Sequence, residues 1–138
     1  MSKQIINPAS LSEPRGFNHG LLTTGGSLLF LAGQDASDGD GQIVAPGDME
    51  AQCRQVLHNL HAVVHEAGGQ MSDIVKLNVF VTSRDTYIAQ LKPLGKLFRE
   101  YFGNYYPAMA LFEVARLFQP EAMIEMEGFA VLGAEEQV

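Results

Sequence analysis

The sequence predicts an α+β fold, and three observations carry that prediction. Two stretches, beginning near Asp48 and Ser83, place apolar residues at helical spacing. Six shorter runs rich in β-branched, aliphatic and aromatic residues read as strands. Their order is β-β-β-α-β-α-β-β, and 138 residues is the size of one domain, residues 1–138.

Lys3–Pro8 is a short strand candidate, and the Ser- and Pro-rich stretch to Gly16 is a loop. Leu21–Thr24 and Leu28–Ala32 flank Gly25-Gly26-Ser27, which predicts a hairpin. Asp35–Gly47 is a loop. Its aspartates Asp35, Asp38 and Asp40 lack the spacing and closing glutamate of a calcium loop, so turn chemistry accounts for them better. Asp48 caps the first helix, whose apolar face is Met49, Cys53, Val56, Leu57, Leu60, Val63, Val64 and Ala67. Gly68-Gly69 ends it.

Ile74–Thr82 alternates, with Val75, Leu77, Val79 and Val81 on one face and Lys76, Asn78 and Phe80 on the other. Ser83 caps a second helix bearing Tyr87, Leu91, Leu94, Phe98 and Tyr101. Pro93 predicts a kink or restart near Lys92, and Gly103 a stop. Tyr106–Leu117 and Ala122–Leu132 are the last strands. Two helices cover one face of a six-stranded mixed sheet and not both. The bare face, carrying Leu, Met, Phe and Glu, predicts a homo-oligomer with those faces turned inward.

Composition narrows the function. Nine basic residues against sixteen acidic ones give a net charge of −7, with no basic run. Affinity for nucleic acid comes largely from Lys and Arg releasing condensed counterions, so broad nucleic-acid binding is not expected. No apolar run approaches the ~18 residues of a membrane span, and no leader-like segment opens the chain. The expectation is a cytoplasmic protein that acts on a small molecule, with no membrane partner. The single cysteine, Cys53, excludes an internal disulfide and reads as a small buried hydrophobe, a reactive thiol being the alternative.

Four groups of residues could carry chemistry. His58, His61 and His65 lie within about 60° on the first helix, with Arg54 on the same stripe. They read as a solvated face, with an oligomer contact or metal site as alternatives, and no metal is expected. Glu125 and Glu127 project from one strand face between Met123 and Phe129. A carboxylate among apolar neighbours has a raised pKa and serves as a general acid or base. An ordinary strand face or salt bridge is the plainer alternative. Glu113 shares a face with Met109 and Leu111, whereas Arg116 points away; a structural ion pair suits each. Phosphate-loop, dinucleotide and nucleophile-elbow motifs are absent, so no cofactor is implied.

Several stretches together resemble the RidA/YjgF family, also called the L-PSP or enamine/imine deaminase family. They are Arg15-Gly16-Phe17-Asn18-His19-Gly20, Leu31-Ala32-Gly33-Gln34, Glu50-Ala51-Gln52-Cys53-Arg54-Gln55 and Asp73–Val81. Tyr106-Pro107-Ala108-Met109, Glu113-Val114-Ala115-Arg116-Leu117 and Ile124-Glu125-Met126-Glu127 complete the set, in family order over nearly the whole chain. The resemblance implies a chorismate-mutase-like fold and a homotrimer with a central β-barrel and ligand clefts between subunits. It also implies hydrolysis of 2-imino or enamine acids to 2-keto acids and ammonia.

The resemblance also marks departures. The family's carboxylate-gripping arginine corresponds to Met109, its phenol to Phe17, its serine before Gly-Gln to Ala32, and a helix asparagine to Gly95. Glu125 survives, and Gly33, Gln34, Pro107 and Ala108 keep the frame. A guanidinium binds a carboxylate through two charge-assisted hydrogen bonds, whereas methionine offers no donor. Losing such a partner costs ~2–5 kcal/mol of binding. The chain therefore looks like a branch lacking the usual arginine, and an inefficient 2-iminopropanoate deaminase.

Three functions remain open. One is hydrolysis of an imine, enamine or related compound, with Glu125 handling water, His19 and backbone amides orienting substrate, and Arg15 or His19 supplying charge. The second is a metabolite-binding sensor or scavenger trimer walled by Phe17, Met109 and Leu111. An endoribonuclease or translation inhibitor comes last.

Overall fold

The longest element starts where a carboxylate can cap it. Asp48 Oδ1 accepts the Ala51 N–H at 3.0 Å, and helix α1 runs from Met49 to Glu66. It ends before Gly68, whose φ of 87° favours glycine. This computed structural model describes residues 3–133. Strands β1 (Lys3–Ile6), β2 (Gly20–Thr23) and β3 (Ser27–Gln34) precede α1. A 3-10 turn (Met71–Asp73), β4 (Ile74–Val81), α2 (Arg84–Ala89), α3 (Leu91–Phe102), β5 (Ala108–Glu113) and β6 (Ile124–Leu132) follow it.

The fold is α+β as expected, with three corrections. The six strands form two sheets rather than one: β1-β2, and β3-β6-β4-β5. A single bridge, Asn18 to Ala108, links the β2 approach to the β5 edge. Pro107, just before that bridge, offers a carbonyl to Asn18 N–H at 3.1 Å but has no N–H to return. The expected hairpin is the second correction. β2 pairs with β1, and β3 pairs with β6. Gly25 and Gly26, at φ 73° and 82°, bend the chain from one sheet into the other. Third, the described residues form three α-helices rather than two. The second predicted helix breaks at Gln90, and Pro93 falls in the first turn of α3, where its missing N–H costs little.

Several boundaries moved for local reasons. β5 stops at Glu113 rather than Leu117 because its only ladder neighbour, β4, ends at Val81. Val75 leaves the expected core face because β4 bulges between Ile74 and Lys76, which oppose consecutive residues Ala130 and Phe129. Other readings hold. Ser83 caps α2 by accepting the Thr86 N–H at 3.1 Å, and Asp38 accepts the Asp40 and Gln42 N–H groups within its turn.

The core lies between the helices and one face of the four-stranded sheet. Leu57, Leu60 and Val64 from α1 and Leu94, Leu97 and Phe98 from α3 join Leu77, Val79, Val81, Ile124 and Met126 from the sheet. Cys53 belongs here; it is fully buried, and burial pushes its thiol up to about 12. The native protein should therefore resist an aromatic disulfide reagent and react stoichiometrically only in denaturant. Rapid labelling of the folded chain would contradict this burial.

The opposite sheet face meets no element of the described chain that covers it. Leu28, Phe30 and Phe112 stand 57%, 68% and 46% exposed, with Phe129 at 38%. Phe30 packs edge-on against Phe129, and Phe80 stacks on Phe112. Glu125, Glu127 and Asn78 share this face between the two aromatic pairs, as the strand registers require.

Candidate functional site

The first half of the site is built where the N-terminal loop crosses the start of β5. Asn18 Nδ2 donates to the Tyr106 carbonyl at 2.7 Å, and Asn7 Nδ2 donates to Asn18 Oδ1 at 2.9 Å. These bonds pin the loop so that Arg15 and Gly16 sit beside Tyr106 and Met109. Met109 pairs with buried Leu77 and so lies on the helix side of the sheet. Tyr87 from α2 and Leu91, Leu94, Gly95 and Phe98 from α3 complete a hollow of about 280 Å³. Arg15 is the single charged residue among its lining. Burial pushes the Tyr87 phenol up to about 12, so it stays a neutral hydroxyl at ordinary pH.

The second half lies on the uncovered sheet face. β3 has an irregular register between Leu31 and Gln34, opposite the Met126–Gly128 stretch of β6. Gly33 falls in it, and a Cβ there would overlap Glu125 Oε2 and lie 3.1 Å from its Cδ. The Glu125 carboxylate thus occupies space that only glycine leaves open. Burial raises its pKa, with the nearby Asp35 and Glu127 charges adding to the effect. Glu125 joins no salt bridge among the described residues. Asp35 accepts the Ser37 N–H at 3.0 Å, and Glu127 accepts from Asn78 Nδ2 at 3.3 Å.

The other sequence candidates scatter. Ala32 lies with Phe30, Glu127 and Phe129 in a separate shallow hollow of about 350 Å³. Gln34 pairs with Met126 and donates weakly to the Ala32 carbonyl at 3.4 Å. Phe17 lines a neighbouring hollow of about 490 Å³ with Asn7, Ser12, Glu13 and Tyr106, not that of Met109. His19 Nε2 is engaged by the Ser12 carbonyl at 2.8 Å, and its ring packs edge-on to Phe17. Ala108 pairs with Lys76 on the uncovered side, and Leu111 lies farther along β5, 39% exposed. Within the chain, then, Met109 and Glu125 lie on opposite faces of the sheet.

The remaining polar candidates lie outside both halves of the site. Glu113 Oε1 accepts the Arg84 N–H at 2.9 Å at the start of α2, and Arg116 falls outside β5 and is exposed. His58, His61 and His65 are exposed, with His61 and His65 stacked 5.6 Å apart. Arg54, on their stripe, pairs with Glu100 at 3.0 Å. Sequence reasoning did not single out Gln52. It is fully buried: Nε2 donates to the Glu121 carbonyl at 3.0 Å, and Oε1 accepts the Met123 N–H at 2.8 Å. It ties α1 to the segment entering β6, two residues before Glu125. A glutamine interrupting an apolar helical face was the available signal.

Fold and site together define a mixed α+β protein with an apolar hollow lined by Arg15 on one side of its sheet and, on the other, a carboxylate that no cation pairs among the described residues. Residues 10–132 match the family model described as Endoribonuclease L-PSP, and the chain belongs to that family, which includes the RidA/YjgF proteins. It is 30% identical over 130 residues to a RutC family protein of Pyrococcus abyssi, covering 94% of this chain and 98% of the relative. A Rid-family protein of unknown function from Yersinia pestis, YyfB, is 33% identical with a TM-score of 0.85, covering 96% of this chain and all of that one. YyfA, of the same organism and family, is 30% identical with a TM-score of 0.66, covering 94% and 99%.

Proposed function

We propose that the protein hydrolyses a small imine or enamine in clefts between the subunits of a homotrimer. One protomer would contribute the Met109 hollow, and its neighbour would contribute Glu125. The observation that carries this reading is Glu125 itself: a half-buried carboxylate with a raised pKa and no cationic partner among the described residues, on a sheet face whose aromatic residues stand uncovered. Association through Phe30, Phe112 and Phe129 removes apolar surface from water, at roughly 25 cal/mol per Å². It also offers a route to bring together two half-sites that one protomer holds apart.

The chemistry needs no cofactor. Glu125 takes a proton from water as the oxygen bonds to the imine carbon, giving a carbinolamine. Proton transfer to nitrogen and cleavage of the C–N bond then release ammonia and the carbonyl product. Water supplies the oxygen, and no electrons leave the system.

The test generates imino acids in situ with an amino-acid oxidase and follows the loss of imine and the appearance of keto acid. Turnover above the buffer rate, from a species with three times the chain mass by light scattering, is the expected result. No acceleration from either the native protein or Met109→Arg would remove the hydrolase reading. A second reading, a metabolite-binding trimer, draws on the apolar wall of the Met109 hollow. Ligand-induced thermal shifts without turnover would favour it. RNA cleavage lost on Glu125→Ala would favour the endoribonuclease named by the family model instead.

A further inference from the structure

We infer that Arg15 is the anion anchor of this protein and that Gly95 makes room for the ligand's apolar part. The Met109 hollow would therefore select a small carboxylate bearing a bulky apolar or aromatic group. This specifies the substrate class of the proposed site and rests on that reading only for where the ligand is turned over.

The argument begins with charge. Arg15 lines the hollow and forms no salt bridge or side-chain hydrogen bond among the described residues. Glu13, the nearest acid in sequence, lines the adjoining hollow instead. No carboxylate lies among the residues lining the Met109 hollow, so Arg15 has no acidic competitor there for an incoming anion. A guanidinium presents paired N–H donors matched to a carboxylate, which a flexible thioether cannot imitate.

Space points the same way. Gly95 lies inside α3, where glycine is less favourable than alanine. A Cβ at Gly95 would meet nothing within 4 Å. Packing therefore does not require the glycine; what its missing side chain leaves open is the hollow. Leu91, Leu94, Phe98 and Met109 surround that opening with apolar surface. Its volume of about 280 Å³ lies at the small end of ligand pockets, which suits a molecule of amino-acid size.

The experiment measures binding, separately from turnover. Calorimetry would compare phenylpyruvate with the neutral ketone 4-phenylbutan-2-one, on the native protein, Arg15→Gln, Arg15→Lys and Gly95→Leu. The acid is expected to bind at least tenfold more tightly than the ketone, with a preference that shrinks as salt rises. Arg15→Gln should abolish that preference while leaving ketone affinity within twofold, and Arg15→Lys should restore part of it. Gly95→Leu should weaken both ligands without lowering the melting temperature, since leucine favours helix. Equal affinity for acid and ketone in the native protein, or unchanged acid affinity in Arg15→Gln, would overturn the inference. Binding that follows this pattern without imine hydrolysis would defeat the hydrolase reading alone. Hydrolysis with an unchanged KM for anionic imines in Arg15→Gln would defeat the anchor alone.

Discussion

Glu125→Gln is expected to lower imine hydrolysis by about 10²–10⁴-fold, the usual contribution of a positioned general base. The amide keeps the shape but cannot take the proton of the attacking water. Its effect should fall on kcat far more than on KM, because ground-state binding is assigned to Arg15 and the apolar wall of the Met109 hollow. The native rate should rise with pH through the Glu125 pKa, at a higher pH than an ordinary carboxylate would give. Burial is the main cause of that displacement, with Asp35 and Glu127 adding to it. Asp35→Asn should move this limb of the profile toward lower pH; an unmoved limb would assign it to another group.

Stability follows the same proton with the opposite sign. A carboxyl whose pKa is raised on folding binds more protons in the folded state. Its favourable contribution is present below the unfolded pKa and is lost as pH rises through the folded value. Glu125→Gln should remove that loss, so denaturation near neutral pH should find the variant no less stable than the native chain. A marked destabilisation there would mean that the ionised carboxylate has an essential structural partner.

Gly128→Ala carries the largest expected cost in stability. Gly128 pairs with Leu77, and an added Cβ would overlap the Lys76 carbonyl oxygen while lying 3.0 Å from the Lys76 carbonyl carbon. Those are backbone atoms of a central strand, and they cannot rotate aside as a side chain would. Forcing β4 and β6 apart should cost about 3 kcal/mol, at the upper end of overpacking. Urea denaturation should report that loss, against a change within about 0.5 kcal/mol for Gly39→Ala in the open loop. A cost as small as that of Gly39→Ala would show that the two strands separate freely at this point.

The contrast between Gly33 and Gly128 separates function from fold. At Gly33 the obstructing atoms belong to the movable end of Glu125; at Gly128 they belong to the main chain. Both residues sit in strands, and nothing in the surrounding sequence distinguishes their roles. The distinction comes from which partner each strand meets and in what register.

Elements whose signals are local were legible from the chain. The apolar spacing from Met49 to Val64, the cap at Asp48 and the stop at Gly68 define α1 without reference to anything distant. The restart imposed by Pro93, the cap at Ser83 and the alternation of β4 through Leu77, Val79 and Val81 are of the same kind. The raised pKa of Glu125 was also foreseeable from its apolar flanks, although Asp35 could be recognised as a neighbour only after folding. The grouping of strands into two sheets was not legible, because backbone hydrogen bonds carry no mark of the partner they will find.

What the sequence determined by itself was therefore the composition of each element and the alternation of side chains within each strand. The tertiary structure decided how those faces align. Met109 registers with Leu77, whereas Glu125 registers with Phe80, three residues farther along β4. Three is an odd number in a two-residue repeat, so the residues point to opposite sides of the sheet. That parity arises from pairing between distant strands, and it is what divides the candidate site into two halves.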